Sequence, residues 1–335
     1  MPGVERPARR RGRTSTSLFG VSGRESHDSS AFYERFPAPE LSDDSEVSTS
    51  PVRDVLVVGD SRDLSFLPDK SVGLVVTSPP YHSSKVYEEI GKAGVPTSYV
   101  EYLQMLTDVF AECVRKLEPG GRIAVNVANL GRKPFRSLAG DVTRILQDDL
   151  GLLLRGEHIW QKADGAGGNC AWGSFRSPSN PVMRDLTERI IVASKGRFDR
   201  AIKPANRAKL GLPHEATISK EEFMALTLDV WRFQPESAKR VRHPAPFPVE
   251  LPRRLIELHT FRGDLVVDVF GGSCSTALAA AATGRSAICV DLERSYLETG
   301  LQRLQAADAN TPFRVVEAAR PGGSAADLPA PARAS

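Results

Sequence analysis

Two stretches of this 335-residue chain carry residue types at spacings that could do chemistry. The first is Thr77-Ser78-Pro79-Pro80-Tyr81, at the end of the apolar run Val72 to Thr77. Each proline fixes φ and removes an N–H donor, so the carbonyls of the segment face outward as rigid acceptors. Such a site suits an amino substrate. The lone pair of an exocyclic NH2 on cytosine or adenine is delocalised into the ring, which makes that nitrogen a poor nucleophile. Two acceptors, the Ser78 hydroxyl and the Pro79 carbonyl, could hold its two protons and favour the pyramidal nitrogen that attacks an electrophilic methyl group. Tyr81 offers a flat face for an extruded base. The plain alternative is a rigid turn closing a strand. Position at the carboxyl end of a strand, where open α/β sheets hold their ligands, weighs against it.

The second stretch is Asp268-Val-Phe-Gly-Gly-Ser-Cys-Ser-Thr276, a strand end, a glycine-rich turn and a helix start. Glycines let the backbone approach a ligand closely, and a helix N-terminus offers free N–H groups. Further on, Asp291 ends the next apolar strand, placed to accept hydrogen bonds from two ribose hydroxyls. Alone, this motif would serve a dinucleotide equally, or be an ordinary strand-to-helix turn.

The elements that must position these residues alternate. Asp54 to Val58 and Val72 to Thr77 read as strands. Ser98 caps a helix with apolar residues at Tyr102, Leu103, Leu106, Val109, Phe110, Val114 and Leu117, stopped by Pro119-Gly120-Gly121. Arg122 to Val127 is the next strand, Leu138 to Leu150 the next helix, and Leu152 to Trp160 and Glu188 to Ala193 two more strands. A second run begins near Pro248 with a helix through Leu255 and Leu258 and the strand Leu265 to Val269. An alanine-rich helix through Thr283 and the strand Ser286 to Val290 complete it. This alternation predicts a largely parallel sheet with helices on both faces. Residues 197–240 fit poorly, with basic Arg197, Arg200, Lys203, Arg207 and Lys209 and a short helix near Glu221 to Leu228; they read as an insertion on the sheet edge.

Composition narrows the rest. With 41% hydrophobic residues the chain can bury one sizeable α/β core. No apolar run approaches the roughly 20 residues of a membrane span, so no membrane partner and a cytoplasmic location are expected. Cys113, Cys170, Cys274 and Cys289 lack any C-x-x-C or metal-ligand spacing, so neither a metal nor a disulfide framework is predicted. The net charge is only +3, which does not by itself argue for nucleic acid. Residues 1–50 are polar and basic, the composition of a disordered arm, whose Arg9, Arg10, Arg11, Arg13 and Arg24 could neutralise phosphates without reading bases. Residues 318–335 read as a tail.

Together the two motifs resemble the beta-class, TSPPY-type DNA amino-methyltransferases, which use S-adenosylmethionine to modify cytosine N4 or adenine N6. In that family the catalytic half precedes the cofactor half, a circular permutation of the usual methyltransferase order. The resemblance covers roughly residues 52 to 305 and includes His243-Pro-Ala-Pro-Phe-Pro-Val-Glu-Leu-Pro252, similar to the segment leading into the family's cofactor half. It implies a Rossmann-like, mostly parallel seven-stranded sheet with one antiparallel strand at the edge, for which Glu188 to Ala193 is the candidate. Residues 51–196 would be the catalytic half, 197–240 the target-recognition insertion with its basic residues on the DNA backbone, and 241–317 the cofactor half. Residue by residue, the resemblance implies Ser78, Pro79, Pro80 and Tyr81 as the catalytic tetrad. Asp268, Phe270, Gly271, Gly272 and Ser273 would line the methionine part of S-adenosylmethionine, Asp291 its ribose and Asp60 its adenine amino group. The chain departs from the family at Cys274, where a third glycine is usual.

Target recognition is expected in the glycine-rich loop Asp164 to Pro181, where Trp172, Phe175, Arg176 and Asn180 suit stacking, phosphate contact and base-edge hydrogen bonds. A loop packed by its own aromatics is the alternative. The expected activity is N4 methylation of cytosine in duplex DNA by base flipping, with a cognate restriction endonuclease as a further partner. Adenine N6, an RNA or protein target, or an idle DNA-binding homologue are the competing readings. Cytosine C5 is disfavoured, because it needs a thiolate and typically a Pro-Cys dipeptide that this chain lacks.

Overall fold

β-branched runs with alternating inward faces build the centre of the protein. In a computed structural model, residues 40–81, 96, 98–129, 131–132, 135–163, 173–183, 185–236 and 247–318 are described. Strands β1 (Val55–Val58), β2 (Val72–Thr77) and β3 (Leu117–Val127) come from the first half. The two-residue β4 (Gly131–Arg132) and β5 (Phe135–Arg136) form a separate hairpin. Then follow β6 (Leu153–Gln161), β7 (Thr187–Ser194), β8 (Val230–Arg232), β9 (Leu265–Asp268), β10 (Ser286–Asp291) and β11 (Arg314–Glu317). Helices are α1 (Tyr99–Lys116), α2 (Leu138–Arg144), α3 (Pro204–Lys209), α4 (Lys220–Leu226), α5 (Glu250–His259), α6 (Ser275–Ala282) and α7 (Arg294–Ala307). A π-helical turn, Ile145–Asp149, continues α2.

The nine-stranded sheet runs β11-β1-β10-β9-β2-β3-β7-β6-β8. From β11 to β3 every pairing is parallel. The predicted mostly parallel α/β sheet is therefore present, with two differences. The antiparallel strand lies within the sheet, since β7 pairs antiparallel with both β3 and β6. Two short strands, β8 and β11, extend the expected seven to nine. β8 joins because Trp231 is 1% exposed beside buried Trp160, whose indole N–H donates to the Phe233 carbonyl.

Successive strand residues point to opposite faces, and both faces are covered. Val55, Val57, Val75, Val267 and Ile288 pack with Tyr102, Leu106, Val109 and Phe110 of α1 and with α2. Leu56, Leu74, Val266, Ala287 and Cys289 pack with α5, α6 and α7 on the other side. α1 begins as the sequence predicts, with the Ser98 hydroxyl accepting from the Glu101 N–H at 3.1 Å. It ends sooner than Pro119 requires, because the chain enters β3 directly at Leu117. Among the described residues no helix is long and apolar enough to cross a membrane.

Residues 41–50 belong with the folded unit that starts at Leu41, so the polar arm read from composition stops short of residue 50. Ser42 and Ser48 donate backbone hydrogen bonds to Gly196 and Lys70, and Lys70 pairs with Asp44 and Glu46. Two acidic residues of this stretch thus answer a single lysine on the body.

Candidate functional site

β2 and β9 are neighbours at the centre of the sheet, where the chain order reverses direction, the position at which doubly wound sheets open a crevice. The two motifs sit at their carboxyl ends. One hydrogen-bonded centre joins them: fully buried Asp268 accepts from the Thr77 hydroxyl at 2.8 Å and from the Thr276 hydroxyl at 2.6 Å. The Phe270 N–H reaches both Asp268 and Thr77 at 3.2 Å. Burial raises the Asp268 carboxyl to about 6, while the Thr276, Thr77 and Phe270 hydrogen bonds oppose that rise.

A cleft of about 870 Å³ opens above this centre. Ser78, Pro79, Pro80 and Tyr81 line it from β2, Gly59, Asp60 and Arg62 from β1, Phe270 from β9, and Asp291 and Glu293 from β10 and the start of α7. The structure thus brings together the whole tetrad with Asp60, Phe270 and Asp291. Gly271, Gly272, Ser273 and Asp268 are buried behind that lining. Gly271 is confined there, since an added Cβ would come within 2.7 Å of the Cys289 Cβ. Asp268 acts on the cleft through Thr77 and the Phe270 backbone.

Asp291 is raised by burial against hydrogen bonds from the Glu293 and Gly272 N–H groups at 2.9 and 2.8 Å. It therefore fastens the glycine turn while facing the cleft. Asp60 is held below the usual carboxylate range, chiefly by its pairing with Arg62. Sequence reasoning missed Met105 and Val109 of α1, Leu292 and Tyr296, which give the cleft apolar walls. Leu292 and Glu293, directly after Asp291 at a strand end, were within reach of the same positional argument; Val109 read only as an apolar position of the helix.

Of the loop expected to read the target, residues 173–181 are described. Trp172 lies outside the described residues, as do residues 1–39 of the arm. Phe175, Arg176 and Asn180 are exposed on a turn closed by the Ser174 and Asn180 hydrogen bonds and a Gly173–Pro181 bridge. None of the three is in the cleft lining. The insertion also departs from expectation: Arg200 and Arg207 are buried, paired with Glu118 and Asp264, and cannot lie on a DNA backbone.

With the tetrad and the glycine turn on adjacent strands of one cleft, a family model for DNA methylases of the N6/N4 type matches residues 72–302. The chain belongs to this family. It is 28% identical over 271 residues to the Type II methyltransferase M.MjaI of Methanocaldococcus jannaschii, covering 72% of this chain and 87% of that one. It is 25% identical to the DNA adenine methyltransferase YhdJ of Escherichia coli, over 75% and 83% of the two chains. TTHA0409 of Thermus thermophilus, a proposed DNA modification methylase solved with S-adenosyl-L-methionine, superposes with a TM-score of 0.61 at 28% identity. That match covers 78% of this chain and 99% of that one.

The protein is thus a DNA amino-methyltransferase of this N6/N4 type, and S-adenosylmethionine is its cofactor. The cleft suits that molecule chemically. Asp60, Asp291 and Glu293 offer carboxylates to a cationic ligand rich in hydroxyl and amino donors, and Phe270, Leu292 and Tyr296 offer apolar surface beside them.

Proposed function

We propose that the protein methylates the exocyclic N4 of cytosine in duplex DNA by base flipping, the reading that Ser78 at the head of the tetrad carries. In this family resemblance a serine there, in place of aspartate, biases the site toward cytosine. Ser78 and the Pro79 carbonyl each accept one proton of the flipped amino group, which frees its lone pair from the ring. Tyr81 stacks on the extruded base. Asp291 holds the ribose hydroxyls, Asp60 the adenine amino group, and the turn Phe270 to Ser273 the methionine end. Bound S-adenosylmethionine supplies a sulfonium methyl, so alignment of the amino nitrogen with it is the main task of the protein. Adenine N6 is the second reading, favoured by the similarity to YhdJ. The similarity to the Type II methyltransferase M.MjaI supports a cognate restriction endonuclease as a further partner.

Mass spectrometry of nucleosides from unmodified genomic DNA treated with the protein and labelled cofactor tests this directly. N4-methylcytosine is the expected product. A dominant N6-methyladenine peak would move the target to adenine and keep the mechanism, whereas 5-methylcytosine would overturn both. Ser78→Ala should lower turnover by about 10² with cofactor affinity unchanged, because the lost contact is made chiefly in the transition state.

A further inference from the structure

Behind Ser78 lies a line of polar groups that neither motif contains. The Ser78 hydroxyl donates to the main-chain carbonyl of Asn126, near the end of β3, at 3.0 Å. Asn126 is 2% exposed. Its side-chain Nδ2 lies 3.5 Å from the Ser78 Oγ and 2.5 Å from Oε2 of Glu188, at the start of β7. The other oxygen of Glu188 accepts from the Lys162 ammonium at 2.8 Å. Lys162 in turn sits over the ring of buried Trp160, 5.9 Å from its centroid. The Asn126 Oδ1 is buried with no hydrogen-bond partner among the described residues.

That last observation requires a reason, because a flipped Asn126 amide would face Ser78 with its oxygen. Glu188 prevents the flip: a carboxylate at this distance attracts the Nδ2 donor and repels Oδ1. The consequence reaches Ser78. A hydroxyl has one proton and two lone pairs. With its proton committed to the Asn126 carbonyl and a donor amide beside it, Ser78 can only accept from a group in the cleft. A flipped amide would compete for the hydroxyl proton and let Ser78 rotate away from the substrate.

We propose that Asn126, Glu188 and Lys162 are positioning residues that fix Ser78 as a hydrogen-bond acceptor for the target amino group. The inference rests on Ser78 acting as proposed above. Its test is a double-mutant cycle on single-turnover methyl transfer to unmodified genomic DNA. Glu188→Gln, which lets the amide flip, should lower the transfer rate about tenfold in the Ser78 enzyme, short of the ~10² loss on removing the acceptor itself. In the Ser78→Ala enzyme the same change should have no effect. Cofactor affinity should stay within about twofold throughout, which a general loosening of the fold would not allow. Lys162→Met, at a half-exposed position, should show the same dependence with a smaller fall, and it serves if Glu188→Gln does not fold. An equal fall in both backgrounds would overturn the positioning role while leaving Ser78 in place. No effect of Ser78→Ala on its own would instead overturn the function proposed for the tetrad.

Discussion

Cys274 occupies a backbone conformation with φ of 59°, the left-handed region that costs a residue with a Cβ roughly 1 kcal/mol. Its side chain is fully buried. A Cβ placed on Gly300 of α7 would lie 2.3 Å from the Cys274 Sγ, so the bare backbone at Gly300 makes the room that the missing third glycine would otherwise leave. The two positions should therefore be coupled. Gly300→Ala is expected to cost about 2 kcal/mol by overpacking in the natural chain. In Cys274→Gly the same substitution should be near neutral, because the clash is gone and alanine favours the helix interior. Urea unfolding of the four proteins checks this, and an equal cost in both backgrounds would refute the coupling. At this scale the sequence shows the departure at Cys274 and the chemical types of the cleft. It hides Gly300, Asn126 and Glu188, whose importance depends on neighbours far away along the chain.

At the scale of elements, the joint between β2 and β9 is a single carboxylate serving two threonines. Thr77 and Asp268 were both legible as motif residues, but their bond was not, since only the parallel pairing of the two strands brings them together. Long periodic segments with caps, such as α1, were readable from local signals. β11 was not, being four residues long and defined by the strand it pairs with. The Asp268 joint has a measurable signature. Burial raises its carboxyl from 3.8 to about 6, so between those values the folded chain holds a proton that the unfolded chain has released. Stability contributed by this group falls as pH rises through the window, and the full cost, of order 3 kcal/mol, is carried above about pH 6. Asp268→Asn is neutral throughout and lacks this dependence. Its unfolding free energy relative to the natural chain should therefore rise by about 2 to 3 kcal/mol between about pH 4 and pH 7. Parallel urea midpoints across that range would show that Asp268 titrates normally.

For the whole molecule, the two ends of the sheet have different tasks. The cleft gathers at the carboxyl ends of the strands, while at the start of β2 and β3 lies a buried ion network whose arginines were expected on a DNA backbone. Glu118 and Asp264, at most 4% exposed, pair with Arg200 and Arg207, and both guanidiniums lie over the Phe261 ring at 5.4 and 5.3 Å. Burial opposes charge on Arg200, but Asp264 and Glu118 outweigh it and hold that guanidinium more firmly protonated than usual. Gly73 in β2 lets the network nest against the strand, since a Cβ there would meet Asp264 at 3.1 Å. The network ties the irregular start of β3, the connection after β7 and the turn before β9, three segments distant in sequence. Glu118→Gln keeps the shape and leaves two buried arginines facing one carboxylate. Because an uncompensated buried charge is far more costly than an absent pair, the change should destabilise the protein by about 3 kcal/mol. The cleft lies at the other end of the strands, so S-adenosylmethionine affinity of the folded variant should be unchanged. Calorimetric unfolding and cofactor titration of the same sample check both halves. A small loss of stability would mean the network is as weak as exposed pairs, and a large loss of affinity would mean the two ends of the sheet are coupled.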